Sequence, residues 1–337
     1  MHIAVTGGTG YLGAHIVSAL LAAGHSVKLL VEPHWSNDVL MGRFASAGPV
    51  SVLRADLRAP GVIDALLEGC DAVLYGAGVV GTDNRRERLM WDINADAAER
   101  VMRRGVALGL DPIVLVSSYS ALFPPPGRII GPDSPTAQGR SAYARTKSYA
   151  DRVARELQRR GAPVVVTYPS SVVGPALHTP PGITEQGWGT MVRFRVAPRL
   201  RSAGMQMIDV RDVADVHERL MRPGRGPRRY LCGGQMLTFD AMISAIEQGS
   251  ARRIRRVPMS AGMFRLVGRL SDLAAAVVPL GSGFSFEAAQ LITAAIPTDD
   301  SETLRDLHVA WRSATQAIIA TFDRGSNAEA PRATRRG

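Results

Sequence analysis

HIAVTGGTGYLGAHIVSALLAAG, residues 2–24, places a short apolar run, a glycine-rich turn and an amphipathic segment in immediate succession. The run Ile3 to Thr6 has the character of a buried strand, and from Tyr11 onward the apolar residues recur at helical spacing. Between them Gly7, Gly10 and Gly13 stand three apart. Glycines so spaced permit a tight turn, let backbone amides approach a pyrophosphate and let the helix pack close to the strand. By itself such a motif indicates only a turn. Flanked by strand and helix it implies a dinucleotide site, formed by Gly7, Gly10, Tyr11, Leu12 and Gly13.

Further strand candidates follow at Val27 to Val31, Val50 to Leu53, Ala72 to Tyr75, Ile113 to Ser117 and Val164 to Pro169, with helical-period segments between the first five. Strand-helix alternation implies right-handed crossovers and hence an α/β protein built on a Rossmann-type doubly wound parallel sheet. The expected division is a dinucleotide-binding core over residues 1–173 and a smaller C-terminal substrate lobe over 174–322, with a segment at about 207–232 returning to the core. Phe123 to Ala142, FPPPGRIIGPDSPTAQGRSA, is too long and rich in proline and glycine for a routine connection, and loops of that kind usually cover a site. MIDVRDVADVHERLM from Met207 reads as strand, turn and helix with Asp212 as the cap. Helices are expected within Met259 to Pro279 and from Phe286 to Ala295, and a disordered tail over 323–337.

Composition excludes some functions. Apolar residues at 46% and charged residues at 21% indicate an ordinary globular chain. Two cysteines, Cys70 and Cys232, form no disulfide framework or zinc motif, and the chain shows neither a leader pattern nor a long uncharged apolar stretch. A cytoplasmic protein without a membrane partner is the expectation. The net charge of +10 raises nucleic acid as a partner, but the basic clusters RGPRR (225–229), RRIRR (252–256) and RATRRG (332–337) lack interleaved aromatics. Solvated basic faces, and no nucleic acid, are expected instead.

Of 40 basic residues only Lys28 and Lys147 are lysines. Lys147 lies four residues after Tyr143 in YARTK, at the start of a helical segment, so both project on one face. An ammonium beside a phenol stabilises phenolate, which suits the pair to acid-base work. YxxxK recurs by chance, but in a lysine-poor chain behind a dinucleotide turn it reads as catalytic. The strand IVLVSS ends at Ser117 and Ser118, at the sheet edge where open α/β folds bind ligands, so Ser118 is placed to hydrogen-bond a substrate oxygen. Glu32 ends the second strand, 19 residues beyond Gly13. A carboxylate there accepts from ribose hydroxyls and repels a 2′-phosphate, favouring NAD(H) over NADP(H), although Lys28, Arg43 and Arg54 could offset it. Asp56 and Leu57 follow the third strand, where the carboxylate could meet the adenine amino group.

With TGGTGYLG, VSS, YARTK, PSSVVGP (169–175) and IDVRDVADVH (208–217) in this order, the chain resembles the extended short-chain dehydrogenases/reductases over residues 1 to 320. That group includes NAD-dependent sugar epimerases and dehydratases, dihydroflavonol reductases and 3β-hydroxysteroid dehydrogenases. The resemblance implies Tyr143 as acid-base residue, Lys147 as its partner, Ser118 as the polarising hydroxyl and Asn94 as a supporting residue. Tyr143 and Lys147 would also meet the cofactor, with Ala77 and Gly78 on the adenosine side and Pro169, Ser170 and Ser171 at the nicotinamide. Tyr119 and Ser120 stand where the dehydratases carry an acidic pair, which argues against dehydration. Tyr168 and Val173 replace an arginine and a tyrosine common in the family. The expected activity is interconversion of an alcohol with a ketone or aldehyde on a small, largely apolar substrate. A sugar-nucleotide epimerase and a non-catalytic dinucleotide-binding regulator are the alternatives, and a homodimer is the family's common assembly.

Overall fold

A computed structural model describes residues 1–81, 86–201, 203–277 and 286–323. The chain begins β1 (His2–Thr6), α1 (Tyr11–Ala22), β2 (Ser26–Val31), α2 (Asp38–Ala47), β3 (Val50–Arg54), α3 (Val62–Leu67) and β4 (Ala72–Tyr75). It continues through α4 (Glu87–Met90), a π-helical turn (Trp91–Ala97), α5 (Ala98–Ala107), β5 (Ile113–Val116), a 3₁₀ turn (Tyr119–Leu122), α6 (Ala142–Arg159) and β6 (Val164–Pro169). After these come β7 (Ser171–Val173), α7 (Ile183–Phe194), β8 (Val196–Arg199), β9 (Gly204–Asp209), α8 (Val210–Leu220), β10 (Arg228–Cys232), β11 (Gln235–Thr238) and α9 (Phe239–Ser250). The last elements are β12 (Arg255–Pro258), α10 (Ala261–Val277), α11 (Phe286–Thr293), α12 (Ser301–Leu307) and α13 (Ala314–Ala320).

Seven parallel strands form the main sheet in the order β10-β6-β5-β4-β1-β2-β3. The six strands expected from the apolar runs are all present, and β10 adds a seventh beside β6. Both faces are covered, which is why β4, β5 and β6 are apolar without alternation and wholly buried. One layer packs α3, α5 and α6 residues such as Leu66, Val101 and Val153 on the sheet, and the other packs Ile16 and Leu20 of α1 with Val213 and Val216 of α8. α12 lies on this second layer, with Leu307 in the core and Thr303 Oγ1 donating to the Leu231 carbonyl.

A separate apolar core lies in the C-terminal half, where Trp188 of α7, Phe239 and Ile243 of α9 and Ile318 of α13 gather against Val173 and Met207. Two small sheets frame it, β11-β9-β7 and β12-β8. The strand-turn-helix reading from Met207 holds, but the cap is Asp209, whose side chain accepts from Arg211 N. Asp212 instead sits inside the first turn, almost fully buried, and accepts from the Arg312 backbone at 2.7 Å. The expected tail, apart from its first residue Asp323, lies outside the described residues, as do Pro279 and its neighbours.

Strand order reverses between β1 and β4, and there the turn after β1 meets the loop after β4. Gly7 has φ +75°, and a β-carbon on it would stand 2.5 Å from the Gly76 carbonyl carbon. On Gly13 it would stand 2.0 Å from the Gly7 carbonyl oxygen, whereas Gly10 has only one neighbour at 3.4 Å. Gly13→Ala should therefore force helix and turn apart at a cost of about 1–3 kcal/mol or more. Thermal denaturation should show a clear loss for Gly13→Ala and little change for Gly10→Ala; equal effects would contradict this packing.

Candidate active site

The N-terminus of α1 is unusual in what it leaves open. Its cap is Gly10, among the described residues no side chain caps its first-turn amides, and the first turn carries no acid. Helix N-termini left in this state attract anions through their unpaired N–H groups and the helix dipole. The cradle is held by Thr6, whose Oγ1 accepts from Ala77 N at 3.1 Å and so ties the β4 loop to the β1 turn. The glycine cradle and the uncapped helix fit the pyrophosphate of a dinucleotide.

Gly78 and Val79 continue this loop toward Asn94. Asn94 is buried, its Oδ1 accepts from Val79 N at 2.7 Å, and its Nδ2 donates to the Val79 carbonyl at 3.0 Å and to Thr146 Oγ1 at 3.2 Å. The asparagine thus clamps the β4 loop to α6. It stands in the π-helical turn, and Tyr75 Oη donates to the Ile93 carbonyl beside it at 2.5 Å. Such widened turns recur at functional sites. The helical stretch starts at Glu87 and widens over Trp91–Ala97, where Asn94 stands.

Lys147 is buried one turn along α6 from Tyr143, its Nζ 6.0 Å from the Tyr143 ring centre and donating to the Val116 carbonyl at 3.0 Å. A β-carbon at Gly78 would lie 3.5 Å from Asn94 Oδ1 and 3.7 Å from Lys147 Nζ, so these groups share one space at the switch point. Burial pushes the Lys147 ammonium down to about 8. Ser118 lies at the end of β5 in extended backbone. Its Oγ accepts from Ser120 N at 3.3 Å and from Ser120 Oγ at 3.0 Å. With its lone pairs engaged, Ser118 keeps its own proton to donate. Ser120 is the contributor that spacing arguments missed, because only the 3₁₀ turn folds it back over Ser118.

α6 owes its position to Asp151, a fully buried carboxylate that accepts from Tyr168 Oη at 2.5 Å, from Arg155 Nε at 2.8 Å and from Thr136 Oγ1. Tyr168, in place of the family's arginine, is therefore a structural tie between β6 and α6. Thr136 and Ser134, whose carbonyl accepts from Arg155, pin the 123–142 loop along the same helix.

Several side chains expected at the cofactor have partners within the protein. Tyr11 Oη lies 2.8 Å from both the Gly174 carbonyl oxygen and Glu185 Oε1, which turns its side chain to the C-terminal half. Glu185, whose carboxyl burial pushes up, also accepts from the Gly174 and Gly182 amides. Ser170 Oγ donates to the Gly233 carbonyl at 2.8 Å, while Pro169 ends β6 and Ser171 opens β7. Asp56 is chelated by Arg58 (Nη2 to Oδ2 2.6 Å), whose hydrogen bonds hold its carboxyl down at about 2, beside the buried Leu57. Glu32 is exposed just past β2. Lys28 is turned to the Glu68 carbonyl, whereas Arg54 Nη1 donates to the Trp35 carbonyl near the Glu32 turn. His217 of the IDVRDVADVH motif is buried between Thr167 and Val213, and burial lowers it to about 4.

Because burial disfavours the Lys147 ammonium, the unfolded chain holds more protons between about 8 and the ordinary 10.5, and folding stability gains across that window as pH rises. Lys147→Met removes this gain. At pH 7 the cofactor-free variant should melt no lower than the parent, and the parent should gain on it by on the order of 1–3 kcal/mol as pH approaches 10. A variant much less stable at pH 7 would contradict a buried, costly ammonium.

Among the described residues no helix is long and apolar enough to cross a membrane. The sequence pattern of the NAD dependent epimerase/dehydratase family matches residues 3–233. Sterol demethylase protein B of Methylococcus capsulatus is 26% identical over 329 residues, covering 94% of this chain and 95% of that protein. A putative dihydroflavonol 4-reductase of Synechocystis is 26% identical over 250 residues, covering 71% and 70% of the two chains. In fold, UDP-glucose-4-epimerase from Stenotrophomonas maltophila, solved with bound NAD, superposes with a TM-score of 0.74 at 19% identity over 97% of this chain and 98% of its own. The protein solved as gox2253 gives a TM-score of 0.73 at 20% identity over 95% and 96%. The chain belongs to the NAD dependent epimerase/dehydratase family and is an enzyme of the extended short-chain dehydrogenase/reductase type.

Proposed function

We propose that this enzyme interconverts an alcohol and a ketone or aldehyde on a small, largely apolar substrate, with NAD(H) preferred. The observation that carries the reading is the convergence of Gly78, Asn94, Lys147 and the Val116 strand end at the switch point, beside the uncapped N-terminus of α1. A bound nicotinamide dinucleotide supplies the hydride acceptor or donor. Gly7, Gly10, Leu12 and Gly13 would hold its pyrophosphate, and Ala77 and Gly78 would flank its adenosine side. Lys147 stays cationic at neutral pH, favours phenolate at Tyr143 and would hold the nicotinamide ribose. Tyr143 moves the substrate proton as acid or base, and Ser118, set as a donor by Ser120, holds the substrate oxygen.

One observation favours this over sugar-nucleotide epimerisation. Reductase-type relatives align over most of the chain, 71% for the dihydroflavonol reductase, whereas the UDP-glucose 4-epimerase of Neisseria meningitidis aligns over 47%. For the cofactor, Glu32 opposes a 2′-phosphate, and Lys28 is held away at Glu68. A homodimer through the helices bearing Asn94 and Tyr143 belongs to the same reading.

Tyr143→Phe should lower kcat by about 10²–10⁴-fold while cofactor affinity stays within about threefold of the parent; full turnover would end the assignment. Glu32→Ala should shift the NAD-to-NADP ratio of kcat/KM toward NADP by about tenfold, the effect of removing one like charge worth roughly 1.4 kcal/mol. An unchanged ratio would show that Glu32 does not face the ribose.

A further inference from the structure

We propose that the C-terminal half carries a docking surface for anionic lipid bilayers, formed by the outer face of α10 and the adjoining arginine-rich β8-β12 ribbon. Within α10, Met263, Leu266, Val267 and Leu270 stand at i, i+3, i+4 and i+7 of one helical face and are 50%, 53%, 42% and 56% exposed. The opposite face anchors the helix: Phe264 is buried against the Phe239 ring at 6.2 Å, and Gly268 is buried as well. Eight of the 14 large apolar side chains exposed among the described residues lie from Phe194 to Leu270. Singly scattered apolar residues need no explanation, but a cluster of this kind marks a contact surface.

Charge decides what covers it. The stretches RFRVAPRLR (193–201) and RRIRRVPMSAGMFRLVGR (252–269) contain ten arginines and no aspartate or glutamate. Parallel pairing of Val196 with Arg255, and the bond from Arg255 N to the Arg195 carbonyl, set the two stretches side by side. Met259 N then bonds the Arg199 carbonyl, so the ribbon runs directly into α10. Arg256 and Arg199 are answered by Asp240 and Glu247 of α9, while Arg193, Arg195, Arg252, Arg253 and Arg255 are exposed. A second copy docking by two-fold symmetry would set these arginines against their equivalents. Nucleic acid would leave the apolar stripe in water. A leaflet with anionic headgroups satisfies both parts: phosphates take the guanidinium groups, and the stripe enters the acyl boundary as an interfacial helix.

This replaces the solvated basic face expected from the sequence for RRIRR, and it stands independently of the reaction catalysed. A surface of this kind would also give the adjoining lobe access to apolar molecules dissolved in lipid.

Flotation of the purified full chain with vesicles tests it. The parent should float with vesicles of phosphatidylcholine containing phosphatidylglycerol and remain behind with phosphatidylcholine alone. Raising salt to about 0.5 M should release it, since the Debye length falls below about 5 Å. Arg252→Glu/Arg253→Glu/Arg255→Glu should weaken binding by about 100-fold, at roughly fivefold per arginine lost near the surface. Leu266→Ser/Leu270→Ser should weaken it by at least about tenfold. Both variants should keep the parent's circular dichroism and cofactor affinity, which separates lost docking from lost fold. Failure of the parent to float, equal flotation on neutral vesicles, or unchanged flotation of the serine variant would each overturn the proposal. So would a concentration-dependent dimer broken by the serine variant without vesicle binding.

Discussion

The approach of the turn after β1 to the loop after β4 is the contact on which the rest of the site depends. Two backbones pass so closely at Gly7 and Gly76 that a methyl group on Gly7 would overlap the Gly76 carbonyl, and Gly13 admits none against Gly7. This crowding follows from strand order: β1 and β4 are neighbours, and the chain leaves them in opposite directions. Helix α1 is thereby set with its uncapped end at the crevice. Thr6 fixes Ala77 there, and from Ala77 the loop runs on to the groups clamped by Asn94.

The chemistry then depends on where α6 lies. Tyr143 and Lys147 share a helical face by spacing alone, but their depth in the crevice is set by the Asp151 network to Tyr168, Arg155 and Thr136. Lys147 is buried with its ammonium donating to the Val116 strand-end carbonyl, so the fold tolerates a costly cation at the switch point. Asn94 binds α6 to the β4 loop from the other side, through Thr146.

Between the sheet and the C-terminal half, Tyr11 and Glu185 form a buried polar joint. Tyr11 belongs to the first turn of α1, directly beside the glycine cradle, while Glu185 lies in α7 and also accepts from the amides of Gly174 and Gly182. Gly182 packs so tightly on the Tyr11 ring that a β-carbon would come within 2.9 Å of it. Any shift of α7 is therefore felt at α1, beside the glycine turn.

Local sequence determined the parts whose cause is local: six strands from apolar runs, the glycine turn from its spacing, and the Tyr143-Lys147 face from helical periodicity. It also singled out Ser118, because a serine at a strand's carboxyl end has a known place in this topology. What depended on distant partners was not readable there. That the Tyr11 hydroxyl meets Glu185, 174 residues away, is one such case. Asp212 read as a cap until Asp209 took that role and Arg312 filled its place. Ser120, the widened turn at Asn94 and the pairing of β8 with β12 are likewise products of packing. Periodicity reports which face of an element is buried, whereas the partner of a buried polar group is chosen only when the chain has closed around it.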